Sequence, residues 1–255
     1  LGVYGILRIN YGLMPDGVYW FSGALAVLGL INVIWGGLCA LAQTDLKKLV
    51  AYSSVNHMGY SLIGMAAIVA AGEANGMNLK AAQAGLGGAV FQMFNHGTIS
   101  AMLFILVGVI YDRAHHRDIE GFGGLAAQMP IYTGITAAAF FAGLGLPGFS
   151  GFISEAMCFI GAFPVYKGIV IASTIGILLN AAYFLWAFQR IFFGELNEKY
   201  TDLPEINRLE LFTVVPLLVI TIFFGIYPAP YLDIIASTMD VIIDHVVTLA
   251  TFASM

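Results

Sequence analysis

Charge is scarce in this chain. Its 255 residues include 10 basic and 15 acidic side chains, while 60% are apolar and the mean hydropathy is +0.88. A soluble fold of that composition lacks the polar surface to cover itself, so lipid is the expected solvent. The few cations form no basic stripe, which argues against a nucleic-acid partner. Cysteine is almost missing: Cys39 and Cys158 both lie in apolar runs without CxxC spacing. That argues against a disulfide framework, a zinc site and an iron–sulfur cluster, and leaves two small buried hydrophobes. Gly121-Phe-Gly-Gly124 is a loop that follows no strand, so there is no dinucleotide fingerprint. No cofactor or metal is expected in the chain, and no direct binding of NADH or quinone. A signal-peptide pattern is also lacking; the chain opens on Leu1-Gly-Val-Tyr-Gly-Ile-Leu, without Met, and reads as entering a helix already under way.

What is present is length of apolar run. A membrane-spanning backbone must satisfy its own polar groups as helix or closed barrel, and these runs far exceed a barrel strand. The expected fold is an all-α polytopic transmembrane helix bundle. After a helix end over residues 1–10, windows of about 20 apolar residues place spans at 18–43, 46–71, 83–111, 130–162, 167–193 and 210–229. The connectors are Met14-Pro-Asp-Gly17, Thr44-Asp45, Glu73 to Lys80, Asp112 to Gln128, Pro164, and Gly194 to Arg208. Beyond Pro228 and Pro230, Asp233, Asp240 and Asp244 recur among Ile, Val and Leu as in an amphipathic helix lying at the interface. Lys47, Lys48, Arg113, Arg117, Arg190, Lys199 and Arg208 fall on one side of this topology, against Arg8, Lys80 and Lys167 on the other. The first side is expected to be cytoplasmic.

The fourth span carries Gly143-Leu-Gly-Leu-Pro-Gly-Phe-Ser-Gly151, a composition no straight helix accommodates. Gly145, Pro147, Gly148 and Gly151 therefore mark a helix break, which inside a membrane is tolerated where protein or water covers the freed backbone. Four residues further on stands Glu155, a carboxyl well within a span, where placement costs about 3 kcal/mol and demands a role. A group that takes up and releases a proton in mid-membrane suits a proton pathway. His57 and His96 lie at matched depth in two other spans, in polar surroundings formed by Ser53, Ser54 and Asn56 and by Gln92, Asn95 and Thr98. Ser53 and Gln92 are the respective i−4 neighbours, placed to hydrogen-bond an imidazole. The reading is a relay through His57, His96 and Glu155. His115, His116 and His245 are expected to be solvated, and the Phe and Tyr of the spans to serve as core and interface anchors.

The run Ala42-Gln-Thr-Asp-Leu-Lys-Lys-Leu-Val-Ala-Tyr-Ser-Ser-Val-Asn-His-Met-Gly59 resembles the segment joining helices nine and ten in antiporter-like subunits of respiratory complex I. Phe94-Asn-His-Gly97, Tyr111-Asp-Arg-Ala-His-His-Arg-Asp118 and Leu146-Pro-Gly-Phe-Ser-Gly-Phe-Ile-Ser-Glu155 continue the resemblance in order, so it covers essentially the whole chain. It is greatest to the chain 4 (subunit M) type, because sister subunits usually carry lysine where this chain has Glu155. The resemblance implies residues 1–12 as the end of a truncated helix, 13–195 as the second five-helix inverted repeat, and 196–255 as a last transmembrane helix with an amphipathic tail. It also implies that His57, His96 and Glu155 belong to a central hydrophilic axis, fed by a lysine preceding this stretch, in a proton-translocating subunit of NADH:quinone oxidoreductase. Partners would be the lipid bilayer and neighbouring antiporter-like membrane subunits, with redox chemistry elsewhere in the complex. Two rival readings share the composition: a component of a multisubunit cation/proton antiporter or a ferredoxin- or hydrogenase-linked relative, and a structural membrane spacer.

Overall fold

The computed structural model describes residues 1–72 and 77–253, and its regular structure is helical throughout. The only sheet-like pairing among the described residues is one isolated bridge between Asp45 and Asp118. In chain order the main helices are α1 (2–13, with a π-type turn at Ile6–Asn10), α2 (Pro15–Leu41), α3 (Leu46–Ala66), α4 (Met77–Ala114), α5 (Pro130–Gly143), α6 (Ser150–Ser173), α7 (Ile175–Phe192), α8 (Arg208–Ile226) and α9 (Ala229–Ala253). The connector expected at Glu73 to Lys80 falls partly on residues 73–76, which lie outside the described residues.

Among the described residues, five stretches are long and apolar enough to cross a membrane: Pro15–Leu41, Leu46–Ala71, Leu79–Ala114, Ser150–Phe192 and Arg208–Ile226. The 43-residue stretch would reach about 64 Å as straight helix, twice the hydrocarbon thickness. It is not straight: Tyr166 leaves helical geometry (φ −114°, ψ 44°) two residues after Pro164, and the chain turns there. The connector expected at Pro164 is thus present as a sharp turn at Tyr166, where two helices meet without a separate loop. The expected span at 130–162 is interrupted where the glycines placed the break. α5 has 14 residues, about 21 Å, too short to cross alone. The turn expected over Met14–Gly17 contracts to Met14 (φ −134°, ψ 56°), because Pro15 takes the first helical position, where its missing N–H costs nothing.

Small residues bring the helices together. On α2, Ala26, Gly29, Val33, Gly36 and Ala40 form a buried stripe, and a Cβ on Gly36 would stand 2.7 Å from the Asn56 backbone nitrogen of α3. α3, α4 and α6 meet at Gly64, Gly85 and Gly161, where a Cβ on Gly161 would lie 2.2 Å from the Gly85 nitrogen. Close approach through small side chains is how helices associate where no hydrophobic drive separates them from solvent.

The basic connectors gather at one end. Arg117 pairs with Asp45 at 3.2 Å and Arg190 with Glu120 at 3.4 Å. Asp45 caps α3 by accepting from the Lys48 amide. Glu205 accepts from the amides of Ile131 and Tyr132 at 2.9 and 3.1 Å, satisfying orphan donors at the start of α5. Arg113, in the last turn of α4, uses its whole donor fork. It donates to both carboxylate oxygens of Glu210 at 2.9 and 2.8 Å, and to the carbonyls of Val109, Pro204 and Glu205. Asn207 and Glu210 form a capping box at the start of α8. His116 departs from expectation: it stacks on Phe122 with ring centroids 4.4 Å apart and hydrogen-bonds the Tyr200 hydroxyl, while His115 and His245 are exposed. The apolar ring of Phe122 draws the imidazole out of water. α9 is amphipathic as expected, with Met239, Ile243 and Val246 buried and Asp233, Asp240 and Asp244 exposed. It packs along α4, with Tyr231 at Phe91 and Phe94 and Asp240 accepting from Gln83 at 2.6 Å.

Candidate functional site

α6 begins at Ser150, and its buried residues Ser150, Gly151, Ser154, Glu155, Cys158, Gly161 and Ala162 share one face at helical spacing. The opposing face of α4 carries Gly85, Gly88, Gln92 and Asn95, again three and four residues apart. The two glycines on α4 let the backbones meet, and the two amides fill the space nearer the break. Asn95 Nδ2 donates to the Ser150 carbonyl and to Ser154 Oγ, both at 3.0 Å. The Ser154 hydroxyl in turn donates to Gln92 Oε1. These bonds aim the first turn of α6 and hold Glu155 between α3 and α4.

Glu155 is 6% exposed, as is His57. Their side chains meet: His57 Nδ1 and Glu155 Oε1 are 3.1 Å apart, a hydrogen bond for either a neutral or an ionic pair. Gln92 Nε2 stands 3.5 Å from the same oxygen. Oε2 faces the break, where Gly145 adopts φ +78°, and a Cβ there would stand 3.0 Å from it. Glycine is required at that position twice over, by its backbone conformation and by the carboxyl beside it. Gly148, at φ +104°, completes the turn, and a Cβ on Gly225 of α8 would meet the Gly148 carbonyl oxygen at 2.3 Å. A crevice of about 310 Å³ runs past Glu155 between Leu144, Pro147, Phe159 and Ile177.

His57 leads onward to His96. Their rings are 5.7 Å apart between centroids, and Ser100 Oγ lies 3.1 Å from His96 Nε2. The three expected relay residues therefore form one file across α4, α3 and α6. The supporting polar residues divide. Gln92 serves Glu155 and Ser154 rather than His96, because the facing helix offers it stronger partners than its own i+4 position. Ser53 and Ser54 donate to the Val50 carbonyl and Thr98 to that of Asn95, each on its own helix. Asn56 donates to the Val33 carbonyl of α2 at 2.6 Å, tying helices rather than serving the file. Pro147 and Gly148 are exposed in the break, and Gly151 packs near the Ala142 carbonyl.

Sequence reasoning passed over three buried groups on the far side of His57: Tyr60 of α3, and Asn180 and Tyr183 of α7, all 0% exposed. Tyrosines are common in membrane helices, and nothing local distinguishes these two; the signal that could have found the group is Asn180, a polar residue in an apolar run. Among the described residues, no group of three or more His, Cys, Asp or Glu is placed to hold a metal ion.

A bundle of apolar helices with an interrupted crossing, and a buried carboxyl paired to an imidazole beside the interruption, defines a polytopic membrane protein with an ionisable pair in its interior. The chain belongs to the NADH:quinone oxidoreductase/Mrp antiporter transmembrane family, whose model matches residues 1–180. It is 39% identical over 240 residues to NADH-quinone oxidoreductase subunit M of Rhodobacter capsulatus, covering 94% of this chain and 44% of that one. It is 35% identical over 245 residues to F(420)H(2) dehydrogenase subunit M of Methanosarcina mazei, covering 95% and 47%. The fold is similar to a chain of respiratory complex I from Thermus thermophilus, with a TM-score of 0.83 at 25% identity, covering 95% of this chain and 49% of that one. The chain thus spans about half the length of the relatives it matches.

Proposed function

We propose that this chain is part of a proton-translocating membrane subunit of an NADH:quinone oxidoreductase, and that protons move along the file His96, His57 and Glu155. The observation that carries this reading is the 3.1 Å contact between His57 Nδ1 and Glu155 Oε1 in a nearly dry setting. An imidazole can accept a proton on one nitrogen and release one from the other, so His57 can exchange with Glu155 on one side and with His96, through water, on the other. Burial keeps either partner from carrying an unpaired charge, which couples the proton on one to the proton on the other. The break beside Glu155 gives the carboxyl a second face. Residues 13–195 would form the five-helix repeat of this machine, with 1–12 and 196–255 flanking it. The redox cofactors would belong to partner subunits, and antiporter-like membrane subunits would be the neighbours of this one.

The test is Glu155→Gln in the intact complex, assayed by NADH-driven proton uptake into inverted membrane vesicles. Uptake should fall while the complex still assembles; unchanged uptake would remove Glu155 from the path. A second reading, a component of a cation/proton antiporter, is favoured by the family description, which names both systems. It predicts that the purified assembly contains no subunits bearing iron–sulfur or NADH-binding modules. A mere structural spacer predicts that replacing His57 or His96 leaves transport untouched.

A further inference from the structure

Glu155 has polar neighbours on the α7 side that the file through His96 does not use. Tyr60, one helical turn beyond His57 on α3, is fully buried with its ring 6.3 Å from the His57 ring. Its hydroxyl lies against α7 at Gly176, where a Cβ would stand only 2.5 Å away, so a glycine makes room for it. Tyr183 donates to Asn180 Oδ1 at 2.9 Å and reaches Ser53 on its other side. Tyr60 and Tyr183 are both within electrostatic reach of Glu155, and Tyr60 is within interaction range of Asn180. Yet the Tyr60 hydroxyl and Asn180 Nδ2 approach each other without reaching normal hydrogen-bond geometry. Two fully buried polar groups that face each other short of a well-formed bond are costly unless water or a moving proton completes the link. Helix packing does not account for them, since phenylalanine and leucine would fill the same volume.

We propose that Tyr60, Asn180 and Tyr183 form a second hydrogen-bonded branch, joining Glu155 through water to the α3–α7 interface. The branch rests on the reading of Glu155 as a proton carrier. Tyr60 and Tyr183 pass protons: each hydroxyl turns to yield its proton to a bridging water as it receives one from another, then returns to its resting direction, so every side chain is restored and no other bond changes. Asn180 is a positioning residue, accepting from Tyr183 through Oδ1 and offering Nδ2 to the bridging water. Glu155 then stands at a junction of two routes, one through the imidazoles and one through the phenols.

The decisive variant is Tyr60→Phe in the intact complex. Its hydroxyl makes no hydrogen bond of normal geometry to protein, so removing it should leave folding and assembly unaffected, and any loss of transport is then functional. Tyr183→Phe and Asn180→Leu accompany it, with Glu155→Gln as reference, each scored for assembled complex, NADH-driven proton uptake and the solvent deuterium effect on that uptake. Tyr60→Phe should assemble normally and slow uptake about five-fold, the effect of one missing hydrogen bond on a proton-transfer barrier. Normal uptake with Tyr60→Phe while Glu155→Gln is impaired would overturn the branch alone. Failure of Tyr60→Phe to assemble would also overturn it, by making the hydroxyl structural. Normal uptake with Glu155→Gln would instead remove the underlying reading.

Discussion

Gly161→Ala perturbs the site without touching it. Gly161 sits at the crossing of α4 and α6, where an added methyl would lie 2.2 Å from the Gly85 nitrogen, 2.3 Å from its Cα and 2.6 Å from the Ala81 carbonyl oxygen. All three neighbours are backbone, so no side chain can swing aside. Ordinary contact begins at 3.4 Å, and α6 must therefore retreat from α4 by about 1.2 Å. Glu155 stands six residues nearer the break, about 9 Å along the same helix, and moves with it. The Asn95–Ser154 bond at 3.0 Å and the Gln92–Glu155 contact at 3.5 Å both pass beyond hydrogen-bonding range. Overpacking of this kind costs about 1–3 kcal/mol, which corresponds to a fall in melting temperature on the order of 5 °C. Thermal release of the subunit from the intact complex on native gels measures the first effect, and proton uptake by vesicles the second. A variant that keeps wild-type thermal release and wild-type uptake would refute the argument that this crossing sets the position of Glu155.

Other expectations follow from the same geometry. Gly145→Ala and Gly148→Ala both place a side chain at positive φ, a strain of about 1 kcal/mol each, but only at Gly145 would the methyl meet the Glu155 carboxyl, at 3.0 Å. Proton uptake should therefore fall further in Gly145→Ala than in Gly148→Ala, and equal losses would show that backbone strain alone matters. Arg113→Ala leaves Glu210 partly buried without its cation and frees two loop carbonyls. It should destabilise the subunit by about 3 kcal/mol, read as earlier thermal release, with Arg113→Lys recovering little because an ammonium cannot reproduce the two-pronged contact.

Much of this site was legible because the residues were anomalies. A carboxyl at Glu155 and imidazoles at His57 and His96 violate the composition of their surroundings, and the glycines of 143–151 forbid a continuous helix. Contact was less legible. His57 and Glu155 are 98 positions apart, and nothing short of the α3–α6 crossing decides that they touch. Gln92 was assigned to His96 by the helical i−4 rule, whereas the facing helix supplies its actual partners. That rule ranks neighbours on one helix and is silent about the next. Arg113 reads as a loop cation, since its saturation depends on carbonyls some 90 residues later. Tyr60 and Tyr183 were hidden for the opposite reason, because aromatic residues are what a membrane helix ordinarily contains. The extents of the helices were legible to within a few residues, including the break at Pro164, except where Pro15 was placed in a turn and instead opens a helix.

α8 holds the break from outside. Its first turn is fixed by the Arg113–Glu210 fork, and near its far end Gly225 rests on the Gly148 carbonyl. Between those anchors only Val214 and Thr221 are buried. The helix therefore works as a gauge rod of 19 residues, about 28 Å long, and its length matters more than its surface. Apolar-for-apolar substitutions at exposed positions such as Phe212, Val219 or Phe223 leave the rod intact. Inserting or deleting one residue would shift its tip by about 1.5 Å and turn it by about 100°, carrying Gly225 off the carbonyl. Apolar drift in sequence along α8 is thus tolerated where drift in length is not.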